Sequence, residues 1–334
     1  MDDTALREVF ALYGVTVRRF LPPQKGYRNT SYPALLADNR QVNFILYKNE
    51  PGMPQRIKRI HAVSLFLAAH YFPVRHPLTG QILQLQTAKT TRFGALYGYL
   101  PGATIPWEGY TKNHIKLVGM AMGKMHARLR EFEPPGNSAA REYMQLVDRM
   151  RTYFEDENVA RALEEKTKVA ISPGKVFPRL QKLLAYCDTL PDQQALHLDF
   201  VRGNLLFRPA QKNDLFAVGD IALSGILDFE KTAFGPPIVD VARTLAFLLV
   251  DCKFKTPEKV RKYFLHSGYN KRGGGAAIPL DSPLLEELVM LFLIHDFYKF
   301  LRHNPYEFLQ ANEHFTRTRD MLLFLGVIRY TKDR

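Results

Sequence analysis

One pair of motifs constrains this chain more than anything else in it. His197-Leu-Asp-Phe-Val-Arg-Gly-Asn204 is followed by Gly225-Ile-Leu-Asp228-Phe-Glu. Ala195 and Leu196 precede the first motif, Leu205, Leu206 and Phe207 follow it, and Ile226 and Leu227 run straight into Asp228. Short apolar runs that stop at polar residues read as buried strands whose loops hold side chains in fixed positions. Two carboxylates and an amide delivered in this way suit metal-assisted phosphoryl transfer. Asp199 then accepts the proton of an attacking hydroxyl, and the Asn204 amide oxygen and the Asp228 carboxylate hold magnesium against phosphates. His197 reads as a brace for the loop. Arg202, three residues after Asp199, either neutralises the transferring phosphate or is simply exposed. Asp and Asn also cap turns, but capping leaves the second Asp, at the end of the second strand, unexplained.

Together, H-x-D-x-x-x-x-N and the later G-I-L-D-F resemble the aminoglycoside phosphotransferase and choline kinase superfamily. The resemblance implies an α+β, protein-kinase-like fold of two lobes. Residues 1–100 would form a small nucleotide-binding lobe built on an antiparallel sheet, and residues 101–334 a larger, mostly helical lobe. It also implies ATP and Mg2+ as cofactors and a small-molecule hydroxyl as acceptor. Asp199, His197 and Arg202 become the catalytic set, and Asn204 and Asp228 the metal ligands. Protein kinases carry D-F-G and A-P-E motifs. Here the triplet is Asp228-Phe229-Glu230 and no A-P-E follows, which favours the small-molecule branch. Leu198 departs from the glycine that small-molecule kinases of this group often carry there.

The same order of parts is expected elsewhere. Leu6, Val9, Phe10 and Tyr13 recur at helical spacing and Gly14 stops that helix. A polar loop then carries Gly26, Asn29 and Tyr32, similar to the glycine hairpin that covers nucleotide phosphates in the superfamily; Lys25 or Arg28 would add charge. Lys48, after the strand-like run 41–47, is by resemblance the phosphate-binding lysine. A helix over residues 54–70 should hold its glutamate partner near Ile60 or His61, yet neither is acidic, and Glu50 precedes the helix. A hairpin over residues 83–99 ends in Tyr97-Gly-Tyr99-Leu-Pro-Gly, similar to the superfamily hinge, and nucleotide contacts are expected near Tyr97 and Tyr99.

Residues 111–130 form a strong amphipathic pattern containing Gly119, Gly123 and His126, the histidine read as a packing residue. Residues 139–168 and 177–188 read as helices, and Asp240 as a helix N-terminal residue supporting the catalytic loop. From residue 256 onward the chain reads as helical, broken at residues 273–275 and at Pro279. In the superfamily such helices build the acceptor pocket. Here Glu286, Glu287, His295, Asp296 and Tyr298 are followed by Lys299, Arg302 and His303. The acceptor is then an amino alcohol, a hydroxy-amino acid, a sugar or an aminoglycoside-like molecule, and the mixed to mildly basic charge weighs against the last.

Composition narrows the alternatives. Apolar runs such as residues 288–294 are far too short to span a bilayer. The N-terminus shows no secretory pattern, and Cys187 and Cys252 suggest neither a disulfide framework nor a metal cluster, so a cytoplasmic location is expected. The net charge of +13 attracts anions, but it is spread along the chain with no nucleic-acid-binding motif. Two rivals share the fold: a nucleotide-binding pseudokinase acting as an interaction module, and a protein kinase.

Overall fold

The computed structural model describes residues 1–26, 29–86, 91–132, 137–271, 273 and 277–331. Tyr27 and Arg28, the side chain of Lys25, residues 133–136 and the glycines 274 and 275 lie outside the described residues. The first hundred residues form α1 (Asp3–Ala11), β1 (Val17–Phe20), β2 (Gln24–Lys25), β3 (Thr30–Leu36), β4 (Gln41–Leu46), α2 (Met53–Ala69), β5 (Leu83–Gln86) and β6 (Thr91–Gly98). There follow α3 (Lys112–Leu129), α4 (Ala139–Glu155), α5 (Glu157–Thr167), β7 (Val169–Ile171), α6 (Pro173–Thr189), β8 (Gln194–Leu196), β9 (Leu205–Pro209), β10 (Ala217–Val218), β11 (Ile221–Ile226) and β12 (Ala233–Gly235). The chain closes with α7 (Pro237–Asp251), α8 (Pro257–Arg261), a π-helix (Lys262–Asn270), α9 (Pro283–His303), α10 (Tyr306–Leu309), α11 (Glu313–Phe324) and β13 (Ile328–Tyr330).

These elements fall into two compact units. The first joins Met1–Ala103 to Asn204–Arg208 and Leu223–Glu230, and the second holds Thr104–Gly203, Pro209–Ala222 and Lys231–Arg334. The first unit is organised by an antiparallel sheet in the order β1-β3-β4-β6-β5, with β2 paired to β3. One face packs on α1, where Leu6, Val9 and Phe10 meet Tyr32, Leu36, Phe44 and Leu96. Asp2 caps α1 by accepting the Ala5 N–H at 2.9 Å. The β9 and β11 segments of this unit pair with each other, and Ser224 Oγ donates to the Leu206 carbonyl at 3.3 Å.

The second unit is mostly helical. Helix α3 buries Ile115, Val118, Met122, Met125 and Leu129, the periodic residues of its sequence. It runs directly against the π-helix because Gly119 and Gly123 carry no side chain. A Cβ at Gly119 would drive into the Phe264 carbonyl oxygen, and one at Gly123 would sit 2.5 Å from the Gly273 Cα. Helix α7 is buried along nearly its whole length, as a run of Pro, Ile, Val, Ala and Leu requires.

Three expectations need correction. Residues 139–168 are two helices, because Asp156 ends α4 in extended backbone and caps α5 by accepting from Asn158 and Val159. The tail is not wholly helical: β13 pairs with β7, Ile328 opposite Ile171 and Tyr330 opposite Val169. Strands of three residues are too short to carry a period of two. The predicted helix at 177–188 starts earlier, at Pro173, whose fixed φ suits the first turn. No helix among the described residues is long and apolar enough to cross a membrane.

Candidate active site

Residues singled out in the sequence converge in each unit separately. In the first, the Leu227 N–H donates to the Asn204 carbonyl at 2.9 Å, which ties the end of the β11 strand to the start of β9. Asp228 follows at once with φ +60°, a left-handed conformation that Asp tolerates better than most residues. Its Oδ1 accepts the Glu230 N–H at 3.2 Å, closing a tight turn. Asp228, Phe229 and Glu230 line a small cavity with Tyr47, Ile60, Arg75 and Tyr97. Asn204 and Asp228 bring an amide oxygen and a carboxylate, the hard oxygen donors that magnesium takes. Among the described residues no group of three or more His, Cys, Asp and Glu is placed to hold a metal. Two protein ligands fit a cation that completes its shell with substrate phosphates and water.

Asn29 pins this unit together. Its Oδ1 accepts the Lys48 N–H at 3.0 Å and its Nδ2 donates to Glu230 Oε1. The Gly26 N–H donates to the Asn29 carbonyl at 2.9 Å, so it closes the hairpin. Lys48 lies two residues past β4 and is exposed. Helix α2 contains no acidic residue, and Glu50 pairs instead with Arg56 at 2.8 Å. The expected Lys48–glutamate pair is therefore absent among the described residues. Where the carboxylate was sought stands His61, buried, its ring 3.0 Å from the Tyr97 hydroxyl. Burial pushes His61 down to about 4, so it is neutral near pH 7. Tyr97 is 1% exposed and its hydroxyl lies 2.5 Å from that of Tyr47. The Gly98 N–H goes to the His76 carbonyl and that of Tyr99 to the Gln41 carbonyl, so both donors are engaged within the unit. Arg75, which sequence reasoning missed, stands 5.6 Å from the Tyr97 ring centroid and lines the same cavity as Asp228.

In the second unit the loop that begins at His197 hangs on Asp240. This fully buried carboxylate accepts the His197 N–H at 2.8 Å and the Leu198 N–H at 2.9 Å. The His126 ring contacts it at 3.1 Å, and the other ring nitrogen of His126 lies 2.9 Å from the Tyr269 hydroxyl. Burial alone would raise the Asp240 pKa, but the hydrogen bond and charge of His126, with those of His197, hold it below the ordinary value. Leu198 has φ +58°. That left-handed conformation explains why glycine suits this position; a leucine there costs roughly 1–2 kcal/mol. Its side chain is nevertheless buried, and its N–H is fixed by Asp240. His197 Nδ1 accepts the Asp199 N–H at 3.1 Å, which orients the next turn.

Asp199 Oδ1 accepts from Lys231 Nζ at 2.7 Å and from Arg243 Nη2 at 3.1 Å. Burial raises its pKa, but the two cations outweigh burial and hold it well below the carboxylate range. Lys231 directly follows the Asp228-Phe-Glu triplet, and Arg243 stands one turn after Asp240 on α7. Neither was singled out from sequence. A charged residue inside the apolar run of α7 was the available signal for Arg243. Arg202 is half-buried, its Nε 3.3 Å from Asp251 Oδ2 and its Nη1 3.2 Å from the Ile105 carbonyl. It is thus tied into the unit and not simply exposed.

Comparison with known proteins gives the family and the fold. The sequence model of the phosphotransferase enzyme family matches residues 19–267. No curated protein sequence matches the chain. Among solved structures, amicoumacin kinase hAmiN, in complex with AMP-PNP, Ca2+ and Ami, has a TM-score of 0.67 at 14% identity, covering 98% of this chain and 95% of its own. A microcompartment-associated aminopropanol kinase has a TM-score of 0.60 at 14% identity, covering 99% and 100%. APH(2")-IIIa, in a complex with GDP and kanamycin, has a TM-score of 0.59 at 17% identity, covering 96% of each chain. At these identities the likeness is one of fold.

Proposed function

Because this chain belongs to the phosphotransferase enzyme family, we propose that it moves the γ-phosphate of ATP to a hydroxyl of a small molecule in a magnesium-dependent reaction. The observation that carries the proposal is Asp199, a half-buried carboxylate oriented by its own backbone and neutralised by two cations. Asp199 orients the acceptor hydroxyl and takes its proton. Its depressed pKa makes it a weak base, which matches a loose transition state in which positioning and charge matter more than early proton removal. His197 is a positioning residue, because it acts by fixing the Asp199 backbone. Asn204 and Asp228 would hold magnesium, which when bound neutralises charge on the phosphates. Gly26, Asn29 and Lys48 belong to the phosphate side of the nucleotide site, with Arg75 as a second cation, and the strand from Tyr97 to Tyr99 to its adenine side. Arg202 supports the acceptor side through Asp251. AMP-PNP and GDP in the similar structures support nucleotide binding in this chain.

A second reading is a nucleotide-binding protein without turnover. The neutral His61 in place of a carboxylate favours it, whereas the intact Asp199, Asn204 and Asp228 oppose it. Equilibrium binding of AMP-PNP tests the nucleotide half of the proposal. Binding should strengthen with magnesium, and Asp228→Asn should reduce the magnesium effect by about tenfold, the worth of one charge contact of some 1.4 kcal/mol. Nucleotide binding indifferent to both magnesium and Asp228 would contradict it.

A further inference from the structure

Resting on the kinase reading above, we infer that the acceptor is an anion: a hydroxyl compound that also carries a carboxylate or a phosphate group. The observation is a cluster of cations around Asp199: Lys231 and Arg243 pair with it, while Lys299 makes no ion pair or hydrogen bond among the described residues. Helix α9 presents Phe292, His295, Asp296 and Lys299 at three- and four-residue steps, the spacing of one face. That face meets Arg243 of α7, whose guanidinium carbon lies 5.5 Å from the Phe292 ring centroid. Arg243 is 2% exposed and its Nε is buried without a hydrogen-bond partner among the described residues. Lys299 is close enough to Arg243 and Lys231 to be repelled by both. Burial first, and then those two charges, push it down to about 8 against the weaker pull of Asp296 and Asp199.

The nearby acids are already engaged. Asp199 serves Lys231 and Arg243. Asp296 accepts from His314 Nε2 at 3.1 Å. Asp251 is paired with Arg202 through one oxygen; the other, buried and without a hydrogen bond among the described residues, has His314 Nδ1 at 3.6 Å. The Lys299 ammonium has no such partner among the described residues. His295, 9% exposed, makes no hydrogen bond among them either, and burial together with the charges of Lys299, Arg243, Lys231 and Arg149 keeps its ring neutral. An ammonium without a hydrogen-bonded carboxylate and a neutral imidazole on one helix face, beside a buried guanidinium, offer donors to an anionic oxygen. Cations held this closely repel one another, and a substrate anion relieves that repulsion. An ammonium group on the acceptor would add to it.

The test is a matched series measured by titration calorimetry on the full-length protein with magnesium and AMP-PNP present. Glycerol 3-phosphate, glycerate, glycerol and 1-amino-2-propanol form a three-carbon set. Glucose 6-phosphate, gluconate, glucose and glucosamine form a six-carbon set. At least one anion should bind about tenfold or more tightly than its neutral counterpart, and the amine should bind no better than the neutral compound. Whether the phosphate or the carboxylate member leads identifies the anionic group. Lys299→Met should erase the preference and leave AMP-PNP binding unchanged, and Lys299→Arg should restore it in part. An amine that binds as well as the anions would overturn the inference, as would failure of both anions to bind, or an anion preference untouched by Lys299→Met. If AMP-PNP binds normally in those cases, the kinase reading survives. If AMP-PNP does not bind, both fall.

Discussion

Asp240 decides the shape of the loop at residues 197–199 at the scale of single residues. It gives both carboxylate oxygens to the backbone of His197 and Leu198 and so holds a leucine in a left-handed conformation. Asp240→Asn replaces one acceptor oxygen with a donor that faces donors, and the cost should be about 3–5 kcal/mol, the usual result of breaking a buried charged network. A shift of the urea midpoint measures it. The sign of the pH dependence follows from the depressed pKa of Asp240. Its stabilising contribution is complete above the unfolded carboxylate value of about 3.9 and is lost as pH falls through the lower folded value. Asp240→Asn should therefore flatten the acid side of the stability curve, and an unaltered acid limb would contradict this role. Sequence reasoning reached Asp240, Asp199, Asn204 and Asp228 because they recur at motif spacing. It did not reach Lys231, Arg243 or Arg75, because a cation acquires its meaning from a partner distant in the chain. Lys48 is the reverse case. Its place in the order of motifs and the lack of an acid at the expected helix position were legible, but its exposure depends on side-chain direction.

At the scale of elements, the close contact between α3 and the π-helix is the feature most sensitive to one atom. Gly119→Ala puts a methyl group against a backbone carbonyl that cannot rotate away. A loss of about 1–3 kcal/mol is expected, as for other overpacked contacts, with a lower melting temperature. An unchanged melting temperature would mean that the two helices are not held this tightly. The His126–Asp240 contact begins on α3, so the loosening should also lower turnover. Helix α3 was legible from its 3.6-residue period, and its two glycines four residues apart already marked one smooth face. The π-helix was not legible, since its extra residue per turn leaves no separate pattern over nine residues. The strands β7 and β13 were missed because each is only three residues long.

Across the whole molecule, the order of parts was readable because each is anchored by a residue type that its chemistry requires: glycine in a hairpin, a strand, a Pro-Gly stop, then two loops with acids at their tips. The net charge of +13 has a local expression in the cations around Asp199 that composition alone could not assign. The cation cluster proposed to meet the acceptor was not readable, since it depends on which faces of α7 and α9 meet. The central claim is that this chain catalyses phosphoryl transfer from ATP to a small-molecule hydroxyl through Asp199. The most direct measurement is transfer of labelled γ-phosphate, with magnesium, to a panel of hydroxy acids, sugar phosphates, neutral sugars, amino alcohols and aminoglycosides, run beside Asp199→Asn. The account predicts label in one acceptor class and a loss of about 100- to 10,000-fold in the variant, with nucleotide binding retained. Label in no acceptor despite firm nucleotide binding, or transfer that Asp199→Asn leaves intact, would contradict it.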